Sequence, residues 1–173
     1  GNFEGELLTK AIDYCHLRGV KVYLTLNTIV GDREFESLAA LAQKASAEGI
    51  DAFIVQDLGV MSVLKQVAPG VPLHASTQMT LHNVDGIDFA GKLGFKRAVL
   101  ARELSAKEIK EIAYNTDIEI EIFVHGALCM CYSGQCLMSS IIGGRSGNRG
   151  CCAQPCRLPY ELYKGDKLAA KGY

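Results

Sequence analysis

The sequence predicts an α/β fold: a partial (β/α) TIM-like barrel of parallel strands that runs into a Cys/Gly-rich loop region. Three observations predict it. Short β-branched apolar runs alternate with amphipathic stretches at spacings of about 20 to 30 residues, the pattern of strands joined by crossover helices. Polar residues recur at the carboxyl ends of those runs. Six of the seven cysteines fall between Cys129 and Cys156, after the last run.

The elements follow in order. A helix is expected from Phe3 to Leu17, where Leu7, Leu8, Ala11, Ile12 and Cys15 share one stripe and Gly19 ends the pattern. Val20 to Ile29 (VKVYLTLNTI) reads as the first strand and Arg33 to Ala47 as the next helix, closed near Gly49. Further strands are expected at Ala52–Val55, Pro72–Ser76, Arg97–Ala101 and Ile118–Val124. Helices fill the gaps at Val60–Val67, Val84–Leu93 and Ser105–Asn115, the last opened by a capping box between Ser105 and Glu108. Five strands fall short of the eight in a closed barrel, so the barrel reading carries the expectation that the chain is a piece of a larger one. An open doubly wound sheet is the alternative, weakened because no glycine-rich phosphate fingerprint follows the first strand. Residues 1–127 are assigned to the partial barrel and 128–160 to the cysteine-rich segment continuous with it. Residues 161–173 are read as the truncated start of a further segment.

Composition narrows the classes. The chain is 49% hydrophobic and 21% charged, ordinary for an α/β protein, and its net charge of -1 gives no overall pull toward nucleic acid. Its longest apolar runs are about six residues, against the roughly 20 that cross a bilayer. Cysteines crowded at one end, behind a well-patterned α/β region, speak for metal binding or redox chemistry rather than a disulfide framework. The expected compartment is reducing, hence cytoplasmic.

In parallel β/α folds, chemistry gathers where strands end and loops begin. Asn27, Gln56, Asp57, Ser76, Gln78, Arg102, Glu103 and His125 all occupy such positions. Any one of them could merely cap the next helix; five strand ends facing one rim make a polar-lined pocket the better reading. On the fifth strand Ile118, Ile120, Ile122 and Val124 share one face, and Glu119, Glu121, Phe123 and His125 share the other. Glu121 is thereby expected inside the barrel, where a carboxylate needs a partner, and Arg102 is the candidate. Asn27, Gln78, Arg102, Glu121 and His125 are expected to converge near Cys129. Arg102 would hold an anion and Glu121 would position it or transfer a proton. His125 would join them or support the cysteines. Arg149 is a further candidate for binding substrate, with Arg145 and Arg157 beside it, because a guanidinium grips carboxylate or phosphate bidentately.

Cys129 and Cys136 are seven apart, Cys152 lies sixteen further on and Cys156 four beyond that. Gly134, Gly143, Gly144, Gly147 and Gly150 leave the backbone between them pliable. Irregular spacing with glycine-rich wrapping suits an iron–sulfur cluster better than zinc, whose sites usually carry paired CxxC knuckles. Cys131 and Cys151 are read as additional packed thiols.

The stretch Glu121-x-Phe123-x-x-Gly126-Ala127-Leu128-Cys129, followed by Gly134-x-Cys136-x-Met138-Ser139, resembles the signature of the peptidase U32 family. The run from Ser146 to Arg157 (SGNRGCCAQPCR) and the strand ends LTLNT, VQD, HASTQ and LARE resemble that family too, so the likeness covers essentially the whole chain. It implies two things. The family is known as collagenase-like peptidases, yet some members are oxygen-independent hydroxylases of a tRNA uridine, an rRNA cytidine or a ubiquinone precursor. The RNA branch draws its oxygen from prephenate. It also implies a 4Fe-4S cluster with Cys129, Cys136 and Cys152 as ligands; a fourth family cysteine lies downstream, and Cys156 is the candidate for that place here. The main expectation is an iron–sulfur hydroxylase acting on an RNA base, with a small carboxylate as co-substrate. Against it stand a peptidase, for which neither a G-x-S-x-G elbow nor an H-E-x-x-H helix is present, and a scaffold subunit carrying zinc or a cluster.

Overall fold

The computed structural model of the chain describes residues 3, 5–126 and 129–172. It contains α1 (Glu6–His16), β1 (Tyr23–Leu26), α2 (Phe35–Ala47), β2 (Ala52–Val55), α3 (Leu58–Val67), β3 (Leu73–Ala75), α4 (Val84–Lys92), β4 (Phe95–Val99), α5 (Ala106–Tyr114) and β5 (Glu119–Glu121). Beyond them come the short α6 (Met138–Gly143) and a hairpin of β6 (Glu161–Lys164) and β7 (Lys167–Lys171).

The strands form a five-stranded parallel sheet in the order β1-β2-β3-β4-β5. Leu24, Phe53, Leu73 and Phe95 stand in one row across it, and Leu26, Val55, Ala75, Ala98 and Ile120 in another. Both rows enter a single core with Ile12 of α1, Ala42 and Ala45 of α2, Val60 and Leu64 of α3, Ile87 and Ala90 of α4, and Ile112 of α5. All five helices therefore cover one face of a sheet whose strands follow in sequence order. That is the winding of a β/α barrel; a doubly wound sheet reverses its order and places helices on both faces.

The opposite face, which a barrel turns inward, carries the row Thr25, Ile54, His74, Arg97 and Glu119. Arg97 is the centre of this face. It donates to Glu119 at 2.6 Å and to Glu121 at 3.2 Å, and lies 3.4 Å from the Tyr23 hydroxyl. Glu119 keeps its carboxyl below the usual range because Arg97 bonds it. His74 is buried edge-on to Tyr23, and that burial, with Arg97 nearby, lowers its pKa. Arg97 replaces Arg102 as the partner expected for Glu121, since Arg97 and the two glutamates face one another on adjacent strands while Arg102 lies past the strand end.

Most elements differ from expectation by a residue or a few at their ends, and three strands differ for identifiable reasons. β1 keeps only four of the ten residues predicted, because β2 offers a ladder of that length. β4 starts two residues early, right after the left-handed Gly94, and leaves the ladder when the Ala101 amide turns to the Leu81 carbonyl. β5 stops at Glu121, so Ile122, Phe123 and Val124 lie beyond the ladder and are exposed. No helix among the described residues is long and apolar enough to cross a membrane.

Candidate cysteine-lined site

The carboxyl ends of the strands form the floor of the site. Asn27, just past β1, donates to Ser76 Oγ at 3.3 Å, and Gln56, past β2, donates to the Asn27 carbonyl at 2.6 Å. Asp57 caps α3 by accepting from the amides of Gly59 and Val60, and also takes the Val30 amide. It is thereby a structural residue. Past β3 the chain makes a short 3-10 turn from Thr77 to Met79 and then places Thr80, a β-branched residue, in the left-handed region at φ 59°. Such a conformation is costly and persists where the surroundings enforce it.

Over this floor lies the cysteine segment. A cavity of about 570 Å³ separates the two, lined from below by Asn27, Thr77, Gln78 and Arg102 and from above by Cys129, Cys131, Cys136, Cys152 and Cys156. All five thiols are free. Cys151 lies outside the lining; its thiol donates to the Arg149 carbonyl. Burial against the loop, together with the neighbouring Cys136 thiol, pushes the Cys131 thiol up. Among the described residues no three His, Cys, Asp or Glu side chains stand close enough to hold a single metal ion.

Two anchors seat the segment. The first joins residues 133–135 to the loops after β3 and β4. Thr80 donates to the Ser133 carbonyl at 2.6 Å and Gln135 donates to Thr80 Oγ1 at 3.2 Å. Gly134 lies so close that any Cβ there would overlap the Gln78 carbonyl, and its φ is 75°. The second anchor is Arg149, which grips Glu34 through both Nη groups at 2.9 and 2.6 Å and donates to the Ile29 carbonyl at 3.1 Å. Arg149 holds the Glu34 carboxyl down to about 2, with help from the Gly31 amide. Ser139, buried on α6, accepts from the Ala153 amide at 2.9 Å and so steadies the turn after Cys152.

The sequence-derived candidates divide accordingly. Asn27, Gln78 and Arg102 meet Cys129, Cys136, Cys152 and Cys156 around one cavity. Glu121 and His125 do not join its lining: Glu121 is engaged by Arg97 on the inward face of the sheet, and His125 follows the end of the β5 ladder and is exposed. The expected convergence of five residues is corrected to three. Arg149 ties segment to barrel rather than facing the cavity. The signature residues Ala127 and Leu128 lie outside the described residues. Sequence reading missed Ser133 and Thr80, whose contacts cross 53 residues of chain. It also missed Arg97, although an arginine amid a run of apolar strand residues was a usable signal.

The chain is matched over residues 1–173 by the family model described as Peptidase family U32. It belongs to that family. It is 44% identical over 155 residues to the 23S rRNA 5-hydroxycytidine C2501 synthase of Escherichia coli strain K12, covering 90% of this chain and 23% of that protein. It is 38% identical over 165 residues to the tRNA hydroxylation protein P1 of Bacillus subtilis strain 168, covering 95% of this chain and 39% of the relative. A collagenase of Porphyromonas gingivalis is 34% identical over 176 residues, with 95% of this chain and 42% of that protein covered. The chain thus spans well under half the length of these curated relatives. Among solved structures, the U32 peptidase Mk0906 shares the fold with a TM-score of 0.57 at 17% identity, over 69% of this chain and 51% of that one.

Proposed function

We propose that this chain forms the catalytic heart of an iron–sulfur enzyme that hydroxylates an RNA base without molecular oxygen. The observation that carries the reading is the single cavity in which five free thiols face Asn27, Gln78 and Arg102 across the carboxyl rim of the sheet. The donor set fits a cluster. A zinc ion draws four ligands to about 2.0–2.3 Å from one point, whereas the irons of a cubane spread their thiolates more widely. Five free thiols lining one cavity supply the donor chemistry that a cubane cluster takes. Cys129, Cys136, Cys152 and Cys156 would hold the cluster, which when bound supplies an iron centre for activating an oxygen-bearing substrate.

The remaining roles fall to this chain's own side chains. Arg102 uses Nε within the protein at 3.2 Å from Ser133, which leaves its two Nη groups for an oxyanion, with prephenate the proposed carboxylate co-substrate. Gln78 lines the same cavity, and its side-chain amide would hydrogen-bond a base edge or a hydroxyl. RNA suits the charge layout: residues 129–173 hold six Lys and Arg against two Asp and Glu, while residues 1–128 hold twelve against seventeen. Relatives named for rRNA and tRNA hydroxylation support the same substrate class, and a cytoplasmic enzyme with it.

A peptidase would need an activated nucleophile. Among the described residues, none of the four histidines hydrogen-bonds a Ser, Thr or Cys side chain. The collagenase relative therefore carries less weight than the site.

The test is nucleoside analysis of rRNA and tRNA from cells lacking the full-length gene. A hydroxylated pyrimidine should disappear on deletion and return with the intact gene, and not return with Cys136→Ala. An unchanged nucleoside profile on deletion would remove the RNA reading.

A further inference from the structure

Beneath the cavity wall, where the loop after β4 meets the cysteine segment, Ser133 is fully buried and every polar atom it has is engaged. Its amide donates to Glu103 Oε1 at 2.9 Å and its hydroxyl donates to the same oxygen at 3.2 Å. That hydroxyl also accepts from Arg102 Nε at 3.2 Å, and the Ser133 carbonyl takes the Thr80 hydroxyl. On the other side of Glu103, Oε2 lies 3.4 Å from His82 Nε2, an ion-pair distance without hydrogen-bond geometry, while His82 Nδ1 is held by the Thr80 carbonyl at 2.8 Å.

From this junction we infer that Glu103 is the positioning residue of the site, fixing through Ser133 both the guanidinium of Arg102 and the cysteine loop 131–136. The inference rests on the reading of Arg102 as the group that holds the anionic substrate. The chemistry of the donors sets the direction of the relay. A serine hydroxyl has one proton, and the ionised carboxylate takes it, so the lone pair left over points at Arg102 Nε–H. Each bond in such a chain polarises the next. An arginine pinned at Nε keeps both Nη groups for a ligand and binds without first having to be ordered. The same carboxylate oxygen takes the Ser133 amide, so one charge sets the arginine and the loop that carries Cys131 and Cys136 in a common frame. Gly134, packed where a Cβ would overlap the Gln78 carbonyl, seats the same loop against the strand-end floor.

The test uses the full-length, cluster-loaded protein and two probes, prephenate and inorganic phosphate, whose binding is followed by calorimetry. Binding of prephenate alone identifies a carboxylate site, and binding of phosphate identifies a phosphate site; either supports the inference. Ser133→Ala should weaken the bound probe about tenfold, the usual effect of losing one hydrogen bond to a charged group. Iron content should stay unchanged. Arg102→Gln should weaken it more, and the double variant should be no worse than Arg102→Gln alone, since Ser133 acts through Arg102. Glu103→Ala should match Ser133→Ala in binding and, in addition, speed amide exchange across residues 131–136. Glu103→Gln keeps an acceptor at the same place and should restore slow exchange and most of the binding. Additive losses in the double variant, or a loop whose exchange ignores Glu103→Ala, overturn the inference while leaving the hydroxylase reading standing. An unaltered protein that binds neither probe overturns it through its premise about Arg102.

Discussion

The barrel portion and the cysteine segment are held in place by different physics. The barrel half has a continuous apolar core with Phe53, Phe95, Ile12, Leu64 and Ile87 fully buried. From 129 to 172 the buried residues are Ser133, Ser139 and Pro155, while Ile141, Ile142, Leu158 and Leu162 are exposed. Within this chain the segment buries little apolar surface, and hydrophobic burial is the main favourable term in folding. Its place is set by polar anchors at the strand ends and, on the proposed reading, by the group its thiols hold. The difference teaches that the site is a cover pinned by polar contacts to the strand-end loops of the sheet.

The largest effect on either region should come from Phe53→Ala. Phe53 is fully buried on β2 between β1 and β3, and such truncations cost about 3–5 kcal/mol. Both regions should loosen together, because the cover has lost its floor. Next in size is removal of the thiols. Changing Cys129 and Cys136 to Ala should abolish most bound iron and speed amide exchange over residues 129–157, with β1 to β4 keeping their protection. Exchange that rises equally in barrel and cover would mean the two are one cooperative unit. Iron content unaltered by both changes would remove the cluster assignment, and stoichiometric zinc after anaerobic purification would replace it with the zinc alternative.

A smaller effect is expected at Gly134. A side chain there must relieve a left-handed φ and an overlap with the Gln78 carbonyl, together about 2 kcal/mol. Gly134→Ala should lift the loop from the rim while leaving the barrel's thermal transition in place. A Gly134→Ala protein with native exchange in residues 131–136 would show that the first anchor tolerates repacking.

Much of this was legible in the sequence because scaffold and strand ends obey local rules. The alternation of strand and helix patterns placed every element of the sheet, and Ser105 with Glu108 marked the start of α5, where both capping bonds are found. Strand lengths were not legible. A parallel strand lasts only as long as its neighbour offers a ladder, so the apolar run through Ile122 and Val124 overshot β5. The gathering of Asn27, Gln78 and Arg102 with the cysteines followed from strand polarity alone. Glu121 escaped that logic because its face, not its strand end, decides its partner, and Arg97 faces it from β4. Ser133 was invisible for a different reason. A serine between cysteines reads as filler until the fold brings Glu103, Arg102 and Thr80 around it.

The smallest effect should come from the second anchor, and its sign is set by pH. Glu34 titrates at about 2 in the folded chain against an ordinary 4.5, because Arg149 and the Gly31 amide bind its charged form. A carboxyl depressed on folding contributes stability that is complete above its unfolded value and is lost as pH falls through its folded value. The difference in melting temperature between the unaltered protein and Glu34→Gln should therefore be constant from neutral pH down to about 4.5 and vanish toward pH 2. Both partners are nearly half exposed, so the difference should be slight and should shrink with added salt. It should also be local, with faster exchange near Arg149 and Cys152 and none across residues 131–136, which hang on the first anchor instead. A Glu34→Gln effect that spreads to Ser133 would mean that the two anchors act as one, and that the cover moves as a rigid plate rather than as two separately pinned loops.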